Sequence, residues 1–341
     1  MKPTDFSKYV TDFFLKYLSN ERGASNNTIS SYRDTFILLF RFMEEEKHLK
    51  LKKLVLTDIT RKVIIEFLDW LQENRKNSSS TRNQRLAVIR SFFCYIQYDH
   101  PEHINQCQGI MSIKLKSTPQ KVINYLSAAG IKLLLEQPDT TTRKGRRDLA
   151  LLSLMYDSGA RVQEIIDLTP NACRLNKPYT IKIRGKGSKA RIVPLMEEQV
   201  NILKSYMAEN KLSEPFAGEY PLFYNSQKKE FTRAGITNIF MKYVKMARDV
   251  DPELIPQKLS CHSLRHSKAM HLLQAGVNLV YIRDILGHVS VQTTEIYAKA
   301  DAKSKREALE KAYVKVQPDN TTTAIWLEDQ DLKEWLINLG S

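Results

Sequence analysis

Hydrophobic side chains recur every three or four positions through the first hundred residues. The first stripe comprises Phe6, Tyr9, Val10, Phe13, Phe14, Tyr17 and Leu18. This spacing places the apolar side chains on one face of a helix and the polar ones on the other. Three further stripes follow Asn26 and Asn27, Thr60 and the polar run 77–80, and the two asparagines have side chains that can cap a helix. We therefore predict a compact helical domain over residues 1–111.

Residues 112–121 break this pattern with a basic, polar stretch that contains a proline. Such a composition is typical of an interdomain linker. Lys114 and Lys116 lie within it, and cations of this kind are attracted to a phosphate backbone. We expect the linker to follow such a backbone if the partner is a nucleic acid.

The periodicity changes in the second half of the chain. Helical stripes return over about 127–136, 147–157, 196–210, 232–248, 260–275, 277–286 and 291–299. Apolar and polar residues instead alternate over 179–184 and again over 189–195, which predicts two strands. The GKGS turn between them predicts a hairpin with Lys186 at its tip. The predicted fold class is mainly α with a small antiparallel β-sheet, and a second domain spans 122–315.

The last segment, 316–341, is acidic. It holds the five acidic residues Asp319, Glu328, Asp329, Asp331 and Glu334 against the single basic residue Lys333. An apolar stripe runs through its end, formed by Leu332, Trp335, Leu336 and Leu339. An acidic helix with such a face is suited to protein rather than to DNA. We expect it to dock onto a neighbouring protomer or onto its own chain.

The charge of the whole chain indicates a polyanionic partner. The formal net charge is +14 and the pI is about 9.4, which favours nucleic acid, with a basic protein that has no such partner as the alternative. Candidate DNA contacts are Arg82, Arg85, Arg90, Lys114, Lys116, Arg184, Lys189 and Arg191. The four cysteines form no CxxC pair, and no run of about 18 apolar residues occurs. We expect a cytoplasmic protein without a membrane segment.

The stretch SCHSLRHSKAM, residues 260–270, concentrates histidine and arginine on one helical face. His262 and His266 have the i, i+4 spacing of two zinc ligands, so a metal-dependent nuclease that also uses His271 is one interpretation. Arg265 lies between them, however, and its permanent positive charge opposes a divalent cation. The same arginine offers a planar fork of donors for two phosphate oxygens, and histidine can move a proton near neutral pH. A phosphate site is therefore the favoured interpretation.

Four residues elsewhere in the chain extend this phosphate site into a possible reaction. Arg161 follows a glycine-containing helix break, and Lys186 lies at the hairpin turn. His288 follows Leu286 and Gly287, and Tyr297 lies nine residues beyond it on the next short helix. Together with the histidine stretch they suit a metal-free attack by a phenol on a phosphodiester. A phenol of pKa ~10 is a poor nucleophile, so arginines must balance the developing charge and a lysine must protonate the leaving 5′ oxygen.

Five motifs resemble those of the tyrosine recombinases, or phage-type integrases. They are SGARVQEI (158–165), IRGKGSKARIVPL (183–195), HSLRH (262–266), LGH (286–288) and TTEIYAK (293–299). The N-terminal stretches SNNTISSY (25–32) and STRNQRLAVIRSFFCYI (80–96) resemble the SAM-like core-binding domain of the same family. The resemblance extends over the chain up to about residue 315.

The resemblance implies a role for each matching residue. Arg161 and Arg265 would clamp the scissile phosphate, and His288 would donate a hydrogen bond to it. Glu164 would orient the site from behind. Lys186 would be the general acid, and His262 would assist proton transfer. Tyr297 would be the nucleophile that forms a 3′-phosphotyrosyl bond. No metal or cofactor is implied, and His266 and His271 are expected to be structural.

The resemblance also implies a reaction and an assembly. The expected enzyme is a site-specific DNA recombinase that exchanges strands through a Holliday junction, as a homo-tetramer on double-stranded DNA with inverted-repeat core sites. Its two domains would form a C-shaped clamp, and accessory recombinases or DNA-bending proteins could take part. We expect a role in integrating, excising or transposing a mobile element, within the bacterial cytoplasm and nucleoid. The alternatives are chromosome-dimer resolution, DNA inversion, or a relative that binds DNA without cleaving it.

Overall fold

The computed structural model describes residues 4–118, 123–185, 189–288 and 290–301. The chain divides into two compact units, Met1–Lys121 and Val122–Ser341. The hairpin tip with Lys186, the end of the predicted linker and the acidic segment 316–341 lie outside the described residues. Among the residues that are described, no helix is long and apolar enough to cross a membrane.

The N-terminal unit is helical throughout its described part. Its helices are α1 (Asp5–Asp12), which continues as a π-helix over Phe13–Glu21, then α2 (Asn26–Glu45), α3 (Arg61–Glu73), α4 (Ser79–Asp99) and α5 (Ile104–Met111). Short 3-10 turns occur at Leu51–Lys53, Leu56–Asp58 and Pro101–His103. The fifth helix was not predicted, because its eight residues are too few for a clear apolar stripe.

Hydroxyl side chains cap the helices of this unit. Thr60 and Ser78 accept hydrogen bonds from the backbone three residues on, as the polar residues before these helices predict. The prediction that Asn26 and Asn27 cap α2 is wrong, because Ser25 is the cap and its Oγ accepts from the backbone N–H of Thr28. The predicted apolar stripes meet in an aromatic core around Phe92, whose ring centroid lies 5.2–5.9 Å from those of Phe6, Phe13 and Phe36.

The second unit surrounds a buried central helix. Its helices are α6 (Ala128–Glu136), α7 (Arg143–Ser158), α8 (Val162–Ile166), α9 (Glu197–Glu209), α10 (Arg233–Val250), α11 (Cys261–Gln274), α12 (Leu279–Leu286) and α13 (Gln292–Ala300). Further 3-10 turns lie at Pro170–Ala172 and Pro215–Ala217. Ala150, Leu151, Leu152 and Leu154 of α7 are fully buried, so this helix forms the middle of the core.

The predicted hairpin is confirmed and carries one additional strand. Strands β1 (Cys173–Arg174), β2 (Thr180–Arg184) and β3 (Ala190–Pro194) form an antiparallel sheet in the order β1-β2-β3. Ile181 pairs with Val193 and Ile183 pairs with Arg191. Because side chains alternate across a sheet, these two pairs share its inner face, and Arg191 enters the interior beside buried isoleucine.

Two glycines end the helices that flank the predicted site. Gly159 follows α7 with φ +57° and Gly287 follows α12 with φ +66°, both in the left-handed region that side chains other than glycine disfavour. The chain then turns sharply at each point. The first turn places Arg161 at the start of α8, and the second places His288 just beyond α12.

Candidate active site

Arg265 lies at the centre of the predicted site and is almost completely buried. It is 3% exposed, and its guanidinium donates to the backbone oxygens of Gly159, at 2.7 Å, and Leu286, at 2.6 Å. These bonds join α11 to the ends of α7 and α12 and fix the plane of the guanidinium. Burial, together with the nearby charge of Arg161, lowers the pKa of Arg265 to about 10, so the group remains a cation at neutral pH.

Arg161 and Glu164 form a local unit at the start of α8. The backbone N–H of Arg161 donates to Oε2 of Glu164 at 2.8 Å, and its guanidinium donates to Oε1 at 2.7 Å. The carboxylate therefore caps the helix and orients the arginine at the same time. The side chain of Arg161 keeps about a third of its surface exposed, at 35%, which leaves donors free to meet a phosphate.

Arg191 occupies the other side of the same carboxylate. Its guanidinium donates to both oxygens of Glu164, at 3.2 and 2.8 Å, and its Nε donates to the backbone oxygen of Ile285 at 2.8 Å. Burial favours a higher pKa for Glu164, but the hydrogen bonds from Arg191 and Arg161 and the charge of Arg191 outweigh it and lower the pKa. With its side chain 10% exposed, Arg191 is a link between β3, α8 and α12 rather than the DNA contact that the sequence suggested.

Tyr297 is buried against two histidines. The tyrosine is 1% exposed, and its hydroxyl lies 2.9 Å from Nδ1 of His266. Its ring stacks on that of His288, with centroids 6.3 Å apart and planes within 10°. Burial raises the pKa of Tyr297, while the charges of Arg265 and Arg161 act in the opposite direction. The phenol is therefore protonated at rest and lies in the field of two cations.

The other predicted histidines differ in their surroundings. Nδ1 of His288 lies 2.9 Å from the hydroxyl of Thr294, and burial and the charges of Arg265, Arg161 and Arg191 lower its pKa to about 4. His262 lies at the start of α11 with part of its surface exposed, and partial desolvation of its ring together with the charges of Arg265 and Arg161 lowers its pKa. Both imidazoles are expected to be neutral at physiological pH.

The two histidines expected to be structural have different positions. Nδ1 of His271 lies 2.9 Å from the hydroxyl of Tyr156, which is an internal contact between α11 and α7. His266, by contrast, contacts Tyr297, the proposed nucleophile. Nothing in the sequence pointed to this contact, because the two residues are 31 positions apart and on separate helices.

The arginines of α4 are engaged within their own unit. Arg82 is 4% exposed, and this burial argues against its predicted contact with DNA. Arg85 donates to the backbone oxygen of Ser31 and to the hydroxyl of Thr35, and Arg90 donates to the backbone oxygen of Ile113. The remaining predicted DNA contacts are all exposed, namely Lys114, Lys116, Arg184 and Lys189.

The described residues contain no group of three or more histidine, cysteine or acidic side chains that could hold a metal ion. The rings of His262 and His266 lie edge to face, with centroids 6.3 Å apart. The charged group beside them is the guanidinium of Arg265, and its positive charge contributes to the lowered pKa of both histidines. The electrostatics of this end of α11 therefore suit an anion.

Two family models match the two units of the chain. The model for the phage integrase N-terminal SAM-like domain matches residues 11–97, and the model for the phage integrase family matches residues 124–304. The chain belongs to the phage integrase family. Its members are tyrosine recombinases, so this integrase cleaves and rejoins DNA as a site-specific recombinase.

Curated relatives match over almost the whole length of this integrase. The y4rC protein of Sinorhizobium fredii is 34% identical over 339 residues, which cover 99% of both chains. The tyrosine recombinase XerC of Thermodesulfovibrio yellowstonii is 31% identical over 317 residues, which cover 91% of this chain and 97% of the relative. These matches confirm the family that the motifs predicted.

Solved structures share the fold of this integrase. The post-cleavage complex of the XerH site-specific recombinase with a palindromic difH substrate is 25% identical, with a TM-score of 0.66, and covers 85% of this chain and 81% of XerH. The Tn1549 transposon integrase in complex with transposon right end DNA is 18% identical, with a TM-score of 0.68 over 88% of this chain and 98% of that one, and shows a common fold. The predicted fold class, mainly helical with a small antiparallel sheet and a SAM-like N-terminal domain, is thereby confirmed.

Proposed function

We propose that Tyr297 is the nucleophile of this integrase and that Arg161, Arg265 and His288 bind the phosphate it attacks. One observation carries the proposal: a buried phenol lies in the combined field of two arginines, one of which has no carboxylate partner among the described ion pairs. A buried cation of this kind favours an anionic ligand. A DNA phosphodiester is that ligand in a recombinase.

The phosphate would be held by groups that are already oriented. Two of the donors of Arg265 are fixed by Gly159 and Leu286, so its remaining donors point in a set direction. Arg161 is held by Glu164 and keeps exposed donors. Preorganised cations of this kind stabilise the charge that builds on the non-bridging oxygens in the transition state, and they need no rearrangement during the reaction.

The chemistry is a transesterification. The phenolic oxygen forms a bond to phosphorus, and the bond from phosphorus to the 5′ oxygen breaks. We assign Lys186, which lies outside the described residues, as the acid that protonates this oxygen, and we assign His262 to assist proton transfer. The phosphotyrosyl bond keeps the energy of the phosphodiester, so a 5′ hydroxyl of the partner strand can attack it without a cofactor.

The test is covalent trapping on a nicked DNA site. In such a substrate, cleavage releases a short fragment that carries the 5′ hydroxyl. Because the fragment diffuses away, rejoining is prevented and the protein–DNA adduct accumulates. We expect wild-type protein to form an adduct that survives denaturation and Tyr297→Phe to form none, while the variant still binds the DNA. The wild-type protein should still form this adduct in the presence of EDTA. An adduct formed by Tyr297→Phe, or cleavage that EDTA abolishes, would refute this assignment and favour a metal-dependent nuclease.

We also propose the biological setting. The enzyme would act as a homo-tetramer on inverted-repeat core sites, with the N-terminal unit binding DNA and the C-terminal unit cleaving it, on the chromosome in the bacterial cytoplasm. Integration, excision or transposition of a mobile element is the favoured role, with chromosome-dimer resolution or inversion as alternatives. A PCR assay for excised circles and rejoined flanks in cells that express the enzyme separates these roles.

The acidic segment 316–341 would connect protomers or dock onto its own catalytic unit, and accessory proteins could assist assembly. Its apolar stripe, Leu332 to Leu339, is the proposed contact. Deletion of residues 318–341 should weaken assembly on a DNA site, as measured by native gel shift and light scattering. Unchanged assembly and unchanged recombination would rule out this role.

A further inference from the structure

The hydroxyl of Tyr297 has an imidazole as its neighbour. Nδ1 of His266 lies 2.9 Å from it, and the two ring centroids are 5.7 Å apart. Because the tyrosine is 1% exposed, water has little access to the phenol. His266 follows Arg265 directly on α11, so the group that contacts the nucleophile and the group proposed to bind the phosphate share one stretch of helix.

We propose that His266 accepts the proton of Tyr297 during DNA cleavage. This inference rests on the proposed function, in which Tyr297 is the nucleophile. As the phenolic oxygen bonds to phosphorus, its proton moves to Nδ1 of His266. The electron pair of the broken bond leaves with the 5′ oxygen, which takes its proton from a separate acid. During rejoining the proton returns from the imidazolium to the phenol.

The other histidines of the site are less well placed for this step. Nδ1 of His288 is already within hydrogen-bond distance of Thr294, and its ring stacks on the tyrosine ring instead of facing the hydroxyl. His262, to which we assign an assisting role in proton transfer, is exposed, and its ring lies beside that of His266, with centroids 6.3 Å apart. Among the hydrogen bonds of the described residues, the one at the phenol joins it to Nδ1 of His266.

The protonation state of His266 agrees with this direction of transfer. Burial, with His262 and the charge of Arg265, lowers its pKa to about 4, so the imidazole is neutral at physiological pH. A neutral imidazole with its hydrogen on Nε2 leaves Nδ1 free to accept, and the phenol then donates. A phosphate that enters beside Arg265 adds negative charge, which stabilises the imidazolium and raises its pKa when the proton must move.

The rate of adduct formation in a single turnover tests the proposal. His266→Asn keeps an amide near the Nδ1 position, so a hydrogen bond to the phenol remains possible, but it removes the base. We expect this variant and His266→Ala to cleave about 100-fold more slowly at pH 7. The matched control is His271→Asn, which removes another imidazole of α11 that has an equal 2.9 Å contact with a tyrosine, Tyr156 of α7, and this variant should cleave at the wild-type rate.

The pH dependence separates proton transfer from a structural role. Wild-type cleavage should be nearly constant from pH 6.5 to 8.5, because His266 is neutral throughout. In His266→Asn the phenol must lose its proton to solvent, so the rate should rise about tenfold per pH unit. If His266→Asn is slower than the wild type by the same factor at every pH, His266 has only a structural role in the site, and that result would overturn the proposal.

A sulfur-substituted DNA locates the step. A substrate with sulfur in place of the bridging 5′ oxygen releases a thiolate that needs no acid. We expect this substrate to leave His266→Asn slow, and a return to the wild-type rate would place His266 at the leaving group and refute the proposal. Wild-type cleavage by His266→Asn on ordinary DNA would refute it too. Neither result affects the nucleophile assignment, which depends only on whether Tyr297→Phe forms an adduct.

Discussion

Glu164 is the residue that holds the proposed phosphate-binding side of the site together. Its one carboxylate accepts hydrogen bonds from Arg161, which is proposed to face DNA, and from Arg191, which lies in the interior. Two cations with a single anion between them leave a net positive charge that a phosphate can neutralise. Loss of the carboxylate would leave Arg191 buried without a partner, and a buried unpaired charge is costly.

Glu164→Gln is therefore expected to lower both stability and activity. We expect a loss of about 3 kcal/mol in the free energy of unfolding, at the lower end for a broken buried ion pair. The control is Glu136→Gln, which removes the carboxylate of the exposed pair between Lys132 and Glu136 and should change stability by less than about 0.5 kcal/mol. Urea denaturation measures both, and equal effects would contradict the role assigned to Glu164.

Two half-buried histidines should give the free energy of unfolding a defined pH dependence. The pKa values of His266 and His288 are lowered to about 4, below the ordinary value of about 6.5. Between these values the unfolded chain binds protons that the folded protein does not. Stability from this source is therefore complete above about pH 6.5 and falls as the pH is lowered towards 4. Urea midpoints across this window should fall less steeply for His266→Asn, and an unchanged slope would contradict the shift.

At the scale of elements, the ends of α7 and α12 determine where the site forms. Gly287 has φ +66°, and a Cβ added there would lie 2.9 Å from the side chain of Arg191. Gly276 also has a positive φ, of +80°, but a Cβ there would have nothing within 4 Å. The two glycines thus share a backbone constraint and differ in what surrounds them.

Gly287→Ala and Gly276→Ala separate backbone strain from displacement of the site. Both should lower the free energy of unfolding by about 1 kcal/mol or more through the strained backbone. Only Gly287→Ala should also slow adduct formation, by at least about tenfold, because it displaces Arg191 and thereby Glu164. Thermal melts and the nicked-site assay measure the two effects. If the two variants form the adduct at equal rates, displacement of Arg191 does not affect the active site.

The sequence predicted elements better than contacts. Local spacing sufficed for α11 with Arg265, for the hairpin and for the helix end at Gly287, because each depends on neighbouring residues. The alternation along β3 also indicates which way Arg191 points, because it lies two positions before the buried Val193 and therefore on the same face of the strand. Its partners are 27 and 94 positions away, and no local pattern specifies contacts at such separations. The contact between His266 and Tyr297 was missed for the same reason.

At the scale of the whole molecule, the net charge of +14 sets the behaviour on DNA. Each phosphate contact releases counterions, so the logarithm of affinity falls linearly with the logarithm of salt concentration. We expect the exposed lysines to contribute to this slope, whereas Arg82 is buried and should not. The predicted DNA contacts therefore divide into exposed cations, which are accessible to a phosphate backbone, and arginines that bind other groups within the protein.

Lys114→Gln should reduce the slope of this salt dependence by about one, the loss of one phosphate contact. Lys53→Gln, which changes an exposed lysine of the same unit outside the predicted set, should leave the slope unchanged. Fluorescence anisotropy with a labelled duplex at several salt concentrations gives both slopes. If the two variants behave alike, the predicted contact of Lys114 with the DNA backbone is wrong.

The two carbonyl groups that hold Arg265 lie at the C-terminal ends of α7 and α12. Aligned peptide dipoles give each such end a partial negative charge of roughly half an elementary charge. Two helix ends therefore offset part of the charge of this guanidinium, and no carboxylate forms an ion pair with it among the described residues. Because fixed peptide groups supply this counter-charge, an incoming phosphate would have no acidic side chain to displace from Arg265, and this arginine remains a cation at any pH well below its pKa of about 10.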